Sequence, residues 1–306
     1  MFFLKNFKIS SHAQGLFLMV LGMFIFTTVN AILKFKQQHY PIFQIVFMRN
    51  LFALIPFSFL LFTYAIPLRT AHFPTHIWRG VAGSISHCCL FISILLLPFT
   101  DANVLSFTTT FIVCLLSFFI LKEKLAFSGW FALAIGFLGV TVIARPSSFL
   151  EGFASSLGVL CALVSTFFEG LVMVHNRLFK EREVPLRMTF YYATVAVVTM
   201  GLAIIFYHSL GYTGWVPLTL NDALIFALFG IGGGLGQACV TVAYTKTRAN
   251  ILAPLIYTAI LWSTMYSVLL FHEPMTLTFY LGTFLIIGSG LFIVTGSERT
   301  LRRKCV

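Results

Sequence analysis

Three ionisable residues lie inside long apolar segments of the chain: Arg49, His87 and Glu169. Such a group is costly at membrane depth unless it finds a partner or faces a wet cavity, so these residues are the first candidates for binding chemistry. Arg49 stands about 12 Å into its segment by the rise of an α-helix. A guanidinium there holds an anionic group of a substrate or, alternatively, snorkels or pairs structurally with carbonyls.

Glu169 lies on a helical stripe of small and polar residues at spacings of three and four. The stripe consists of Gly158, Ala162, Ser165, Glu169, Met173 and Asn176. A carboxylate there is suited to bind a substrate ammonium or carry a proton, with a structural hydrogen bond between helices as the alternative. His87 shares a face with Gly80, Gly83 and Ser84, and is either a substrate ligand or a hydrogen-bonded packing residue.

Hydroxyl, amide and aromatic side chains in three later segments complete the predicted substrate site. They are Thr109, Thr110, Gln237, Tyr257 and Trp262. Their alternative role is packing, since the chain holds 36 Phe and most aromatic residues serve the core or face lipid. Five glycines between residues 230 and 236 precede Gln237. They permit either close helix approach or a locally broken helix around a site.

Enzyme motifs are missing from the sequence. His272-Glu273 has no second histidine at the zinc-ligand spacing, and no GxSxG, P-loop or dinucleotide glycine motif occurs. His87 beside Ser84 is the one loose nucleophile–base candidate, and no acid lies nearby in sequence to orient it. The six cysteines form no CxxC pair and are interpreted as small hydrophobic residues, with redox chemistry at the adjacent Cys88 and Cys89 as the alternative. No enzymatic activity, metal site or cofactor is expected.

The composition indicates the elements that must position these residues. Of the 306 residues, 59% are hydrophobic and 9% are charged, and the mean hydropathy is +0.95. A soluble domain carries about 25% charged residues, and disorder needs low hydrophobicity, so both classes are excluded. A spanning helix needs roughly 20 apolar residues. The chain is predicted to be an all-α membrane protein with ten transmembrane helices, at about 15–33, 42–66, 77–98, 102–121, 126–144, 154–177, 187–208, 221–245, 250–271 and 276–295.

Basic residues predict the orientation of these helices. With the N-terminus in the cytoplasm, 16 of the 20 Lys and Arg fall on the cytoplasmic side, Arg79 among them, and only Lys34, Lys36 and Arg145 on the other. This distribution of basic residues accounts for the net charge of +11, so the charge does not indicate binding to nucleic acid. The first apolar run is expected to be a retained helix rather than a signal peptide. Both termini are predicted to be cytoplasmic, in an inner membrane.

The chain also repeats internally. DANVLSFTTTFIVCLLSFFILKEKL begins at Asp101, and RANILAPLIYTAILWSTMYSVLLFHEPM begins at Arg248. Each copy opens with a charged residue and Ala-Asn, spans the membrane and reaches a glutamate, Glu123 or Glu273. The predicted repeats are residues 15–145 and 154–296, with five helices each. Because each repeat has an odd number of helices, the second repeat starts on the opposite side of the membrane and is inverted relative to the first. Many secondary transporters have such inverted repeats, and their binding site lies at the repeat interface.

These two stretches, with GWFALAIGFLGVTVIARP and LGTFLIIGSGLFIV after them, resemble the two halves of an EamA-type carrier of the drug/metabolite transporter superfamily. The FMRN segment around Arg49 and the GGGLGQ segment around Gln237 also fit. Many relatives carry a proline in the fourth helix where this chain has Thr110 or a neighbour. The resemblance implies ten helices, an inverted repeat, a central cavity and transport of small metabolites.

The expected function is secondary transport of a small polar metabolite by alternating access. An amino acid or a related compound similar to S-adenosylmethionine is the substrate class expected. A membrane-embedded lipid-modifying enzyme and a passive channel are the alternatives. The expected partners are the solute and the lipid bilayer, without nucleic acid, and the sequence leaves a homodimer open.

Overall fold

The computed structural model describes residues 11–36, 39–120, 122, 127–144, 153–179, 183–246, 255–273 and 276–302. All regular structure within these ranges is helical, as predicted. The helices are α1 Ser11–Lys36, α2 Ile42–Thr63, α3 Phe73–Leu96, α4 Phe99–Ser106, α5 Thr108–Ile120, α6 Phe127–Ala144, α7 Phe153–Phe179, α8 Pro185–Ser209, α9 Leu220–Lys246, α10 Thr258–Leu270 and α11 Leu277–Arg302.

Seven stretches of the described chain are long and apolar enough to cross a membrane. They are α1, α2, α3, α4 with α5, α7, α8 and α9, and they are joined by α10 and the first part of α11 as shorter apolar helices. With no water in the bilayer, a spanning segment must satisfy its backbone internally, which helices do. The protein is therefore a multi-pass membrane protein.

The helices pack in pairs that exchange partners between the two predicted halves. Helix α1 packs on α9, and α3 packs on α7. Helix α2 contacts α8 and α9, while α3 contacts α8 as well as α7. Helix α6 lies against α11. This arrangement brings α2, α3, α7 and α8 together in the middle of the bundle.

The fourth predicted helix, 102–121, consists of two helices that meet at Phe107. The backbone there has φ −69° and ψ −12°, and the amides of Phe107 and Thr110 bond to carbonyls three residues earlier. Such a tightened turn inside a span often marks a hinge. Tyr257, before α10, has nearly the same conformation, with φ −68° and ψ −11°. The rings of Phe107 and Tyr257 contact each other with centroids 5.4 Å apart.

The glycine-rich segment of α9 is part of one continuous helix, so it serves close packing and not a broken helix. A side-chain carbon at Gly234 would lie 2.7 Å from Pro56 of α2, and one at Gly232 would lie 2.9 Å from Val29 of α1. The absent side chains let α9 approach both helices closely.

One end of the bundle is tied by a cluster around Glu273, just after α10. The ammonium of Lys34, at the end of α1, lies 2.5 Å from Glu273 Oε1 and donates to the carbonyl of Leu97. The amide of Phe99, at the start of α4, donates to Glu273 Oε2 over 2.9 Å. Ser267 also donates to this carboxylate. Four segments of the chain therefore meet at a single carboxylate.

The opposite end has its own polar cluster around Glu183, between α7 and α8. Arg187 lies 2.5 Å from Glu183 Oε2, and Thr70 in the α2–α3 connection donates to the same carboxyl group. Arg187 also donates to the carbonyl of Arg69 over 2.8 Å. Burial raises the pKa of Glu183, but the bonds from Thr70 and Arg187 outweigh it and hold the pKa below its ordinary value.

Candidate functional site

A polar cluster lies where α2, α3, α7 and α8 meet. Its acidic member is Glu169 of α7, and Ser86 of α3 donates to Glu169 Oε2 over 3.4 Å. The Ser86 hydroxyl also lies 3.0 Å from the Ser165 carbonyl and 3.2 Å from the Ser165 hydroxyl. Ser165 belongs to the stripe predicted for Glu169, so the structure turns that stripe toward α3.

His87 and Tyr192 form the second element of the cluster. The Nδ1 atom of His87 lies 2.5 Å from the Tyr192 hydroxyl and 2.9 Å from the Gly83 carbonyl. With its proton on Nδ1, the ring donates to the carbonyl; with the proton on Nε2, it accepts from the phenol. A side-chain carbon at Gly83 would fall inside the Tyr192 ring, so only glycine leaves space for this contact.

Arg49 of α2 supplies the cationic element. Its guanidinium passes along α9, where Nε lies 3.6 Å from the position a side-chain carbon of Gly233 would take. No hydrogen bond from the guanidinium to the protein is formed within the described part of the chain. Arg49 interacts electrostatically with Glu169, Tyr192 and His87. The structure thus brings Arg49, His87 and Glu169 into one interacting set.

Arg79 is a further cation of this region. The sequence interpretation counted it among the cytoplasmic basic residues and did not include it in the site. In the structure α3 begins at Phe73, and Arg79 lies within it and is 4% exposed. The guanidinium stands over the Tyr192 ring, 5.6 Å from its centroid. A burial signal was present in the neighbouring Gly80 and Gly83, which mark the face of α3 that packs on α8.

The remaining predicted residues lie in other contacts. Thr109 of α5 donates to the carbonyl of Ser106, the last residue of α4, over 2.7 Å, and Thr110 is half-buried in α5. Tyr257 packs on Phe107, as described above. Gln237 is half-buried in α9, one turn beyond Gly233.

Trp262 of α10 packs edge-on against Phe24 of α1, with ring centroids 5.1 Å apart. Its indole N–H has no hydrogen-bond partner among the described residues. The contact with Phe24 connects α10 to α1. Among the described residues, no contact of Trp262 with Arg49, His87 or Glu169 is observed.

Chemically, the cluster offers charges and hydrogen-bonding groups without a nucleophile–base pair. Ser84 donates to the Gly80 carbonyl over 2.7 Å and pairs with Thr199, so its hydroxyl is engaged away from His87. Among the residues that the structure describes, no three His, Cys, Asp or Glu side chains are grouped to hold a metal. Cys88 and Cys89 are both free thiols. The arrangement is suited to bind a polar solute inside an apolar bundle.

Two named transporters and one solved structure are similar to this chain along most of its length. The pseudopaline exporter of Pseudomonas aeruginosa (strain UCBPP-PA14) is 27% identical over 277 residues, which cover 90% of this chain and 94% of the relative. The S-adenosylmethionine uptake transporter of Rickettsia conorii is 23% identical over 301 residues, 98% of each chain. A solved crystal structure superposes with a TM-score of 0.67 over 94% of this chain and 99% of its own, at 17% identity, which shows a shared fold.

The EamA-like transporter family matches residues 13–145 and again residues 156–295. Together these two matches span most of the chain. The protein therefore belongs to the EamA-like transporter family.

Proposed function

We propose that this transporter is a secondary carrier for a small polar metabolite and that it works by alternating access around the Arg49–Glu169 cluster. The observation that carries the proposal is that Arg49, His87 and Glu169 come from three helices that pack together, α2, α3 and α7, with Ser86 beside His87 donating to Glu169. Intramembrane ionisable residues are rare and typically mark solute or proton pathways.

The substrate class favoured is an amino acid or a related compound, with S-adenosylmethionine among the candidates. The names of the pseudopaline exporter and the S-adenosylmethionine uptake transporter support a small-metabolite substrate. In the proposed site Arg49 binds an anionic group, and Glu169 binds an ammonium or carries a proton. His87 offers hydrogen bonds beside them.

Thr109, Thr110, Gln237, Tyr257 and Trp262 stay predicted substrate contacts. Tyr257 and Trp262 lie in or beside α10, and Thr109 and Thr110 lie in α5. Tyr257 contacts Phe107, which precedes Thr109 and Thr110 in the chain, and this supports a shared role for these three residues between the two halves.

We further propose that residues 15–145 and 154–296 form two inverted repeats of five helices. The pairing of α1 with α9 and of α3 with α7 supports this arrangement, because an inverted two-fold axis exchanges exactly such pairs. The helix interruptions at Phe107 and Tyr257, with the same backbone conformation, support it further.

The charge distribution supports an inner-membrane orientation with both termini in the cytoplasm. Most Lys and Arg outside the spans fall on one side under this orientation, as the positive-inside rule requires. In that orientation the Lys34–Glu273 cluster faces outward and the Glu183–Arg187 cluster faces the cytoplasm. A homodimer is compatible with the proposal but is not needed for it.

A lipid-modifying enzyme and a passive channel are the competing functions. The engagement of Ser84 with Gly80 and Thr199 favours a carrier over an enzyme, because the hydroxyl beside His87 is not activated. Counterflow in proteoliposomes separates all three functions. A carrier exchanges labelled for unlabelled solute across the bilayer, a channel equilibrates without counterflow, and an enzyme converts lipid without moving solute.

A further inference from the structure

Arg79 is a buried cation with more hydrogen-bond donors than the protein satisfies. Its Nη1 donates to the Met188 carbonyl over 2.7 Å. Its Nε has no hydrogen-bond partner among the described residues. An arginine carries five N–H donors and remains protonated in proteins, so this side chain keeps both a full charge and spare donors inside the bundle.

Arg79 belongs to the same electrostatic set as Arg49. Both guanidiniums interact with Glu169, Arg49 from α2 and Arg79 from α3. Arg79 also lies over Tyr192, whose hydroxyl contacts His87. Two guanidiniums therefore share a single carboxylate in this part of the described structure.

The charges of this set do not balance. Two cations and one carboxylate leave a net positive charge if Glu169 is ionised, and a larger one if it is neutral. His76 and His175, which interact with Arg79, add no negative charge in any protonation state. Glu183, near His76, is already bonded by Arg187 and Thr70. A buried charge without a counter-charge is strongly unfavourable, so this set of side chains is suited to an anionic ligand.

The two arginines reach the cluster from different helices, Arg49 from α2 and Arg79 from α3. The Arg79 guanidinium stands over Tyr192, whose hydroxyl lies 2.5 Å from His87 Nδ1. A solute that pairs with both guanidiniums at once needs two anionic groups. Its ammonium, if present, matches Glu169.

We infer that the site takes an amino dicarboxylate, a solute with two carboxylates and one ammonium, held by Arg49, Arg79 and Glu169. This inference rests on the proposed function, and it narrows the substrate class. S-adenosylmethionine carries the opposite balance, with an ammonium and a sulfonium against one carboxylate. The inference therefore makes it a poorer substrate than an amino dicarboxylate.

Counterflow by the full chain in proteoliposomes tests the inference with matched probes. L-glutamate and L-glutamine have the same length and differ in one carboxylate, so the ratio of their rates reports the second anchor. L-2-aminoadipate extends the test to a longer dicarboxylate, and S-adenosylmethionine represents the cationic class. The wild type is expected to exchange the better dicarboxylate at least about tenfold faster than glutamine, the discrimination typical of a charged hydrogen bond.

Variants of Arg79 assign the preference to that residue. Arg79→Gln is expected to bring the ratio of glutamate or aminoadipate to glutamine close to one, and Arg79→Lys to retain part of it. Arg69→Gln, at an exposed arginine in the preceding connection, is the matched control and should retain the full ratio. Each ratio is measured within one preparation, so reduced folding of a variant does not change it.

The outcomes separate the inference from the proposed function. Faster exchange of glutamine or S-adenosylmethionine than of either dicarboxylate overturns the inference and leaves the carrier function standing. An Arg79→Gln variant with the wild-type ratio removes Arg79 from the site. A wild-type protein that exchanges none of the probes overturns the inference. The proposed carrier function is contradicted only if a wider panel of labelled polar metabolites also shows no counterflow.

Discussion

Lys34 and Glu273 form an ion pair of 2.5 Å that joins the end of α1 to the segment after α10. The Lys34 ammonium also stands 4.9 Å from the centre of the Phe271 ring, in a cation–π contact. Glu273 in turn accepts the amide of Phe99. Under the proposed orientation, this cluster lies at the outer end of the carrier.

Glu273→Gln is expected to lower the free energy of unfolding by about 1–3 kcal/mol, because it replaces charged hydrogen bonds with neutral ones. Thermal melting of the purified protein measures the change. The exchanged pair, Lys34→Glu with Glu273→Lys, should not restore stability, because a lysine at 273 cannot accept the Phe99 amide. Full recovery in the exchanged variant would show that the ion pair alone matters.

Gly83→Ala is expected to displace the Tyr192 ring and separate its hydroxyl from His87. Overpacking of this kind typically costs about 1–3 kcal/mol, and transport should fall with it. The matched control is Gly288→Ala in α11, where no atom lies within 4 Å of the new carbon. That variant should be neutral or slightly stabilising, since alanine favours helix over glycine by up to about 1 kcal/mol. Equal melting temperatures for the two variants would contradict the close contact at Gly83.

The Glu183 cluster makes stability depend on pH. Although burial raises it, the pKa of Glu183 lies below its ordinary value because of the bonds from Thr70 and Arg187. A carboxyl with a lowered folded pKa stabilises the protein above its unfolded pKa, and this contribution is lost as pH falls through the folded pKa. Below about pH 4.3, the ordinary glutamate value, the melting temperature should therefore fall more steeply in the wild type than in Glu183→Gln. Parallel curves for the two proteins would exclude this contribution.

Arg49 is predicted to bind an anionic group of the solute. Arg49→Lys should keep part of the transport activity, while Arg49→Gln should raise the half-saturation concentration about tenfold or more, as loss of a charged hydrogen bond implies. Initial rates in proteoliposomes, normalised to the amount of folded protein, provide the measurement. A residue of purely structural importance would change protein abundance but leave transport per molecule at the wild-type level.

Glu169 is predicted to act either as a substrate anchor or as a proton carrier, and Glu169→Gln distinguishes the two roles. A proton carrier loses gradient-driven accumulation but keeps exchange between equal pools, whereas a substrate anchor loses both. The substrate role is favoured, because a uniporter or an exchanger needs no proton-carrying residue. Wild-type activity in both assays would exclude Glu169 from the mechanism.

The helical class and the three central ionisable residues were predictable because each depends on local sequence. Apolar runs long enough to span a membrane are visible directly, and a charge within such a run is conspicuous. Tyr192 was missed because its importance comes from Gly83, a residue of another helix, and a single sequence does not reveal which faces meet. Arg79 was missed because it stands near the start of the predicted helix 77–98, and a single sequence does not show that α3 begins at Phe73 and buries it.

The interruption at Phe107 gave no sequence signal either. No proline or glycine marks it, and Thr110 stands in the region where many relatives have proline. The turn is tightened by hydrogen bonds between backbone groups three residues apart, an arrangement open to most residue types. Its counterpart at Tyr257 is visible only once the chain is folded.

The contact between the Phe107 and Tyr257 rings joins the interruption between α4 and α5 to the start of α10. Because the two rings are in contact, a bend at Phe107 would displace Tyr257, and the helices on the two sides would move together. If the carrier alternates as proposed, we expect this contact to couple the two bends. Replacing either ring with a small side chain should then weaken that coupling.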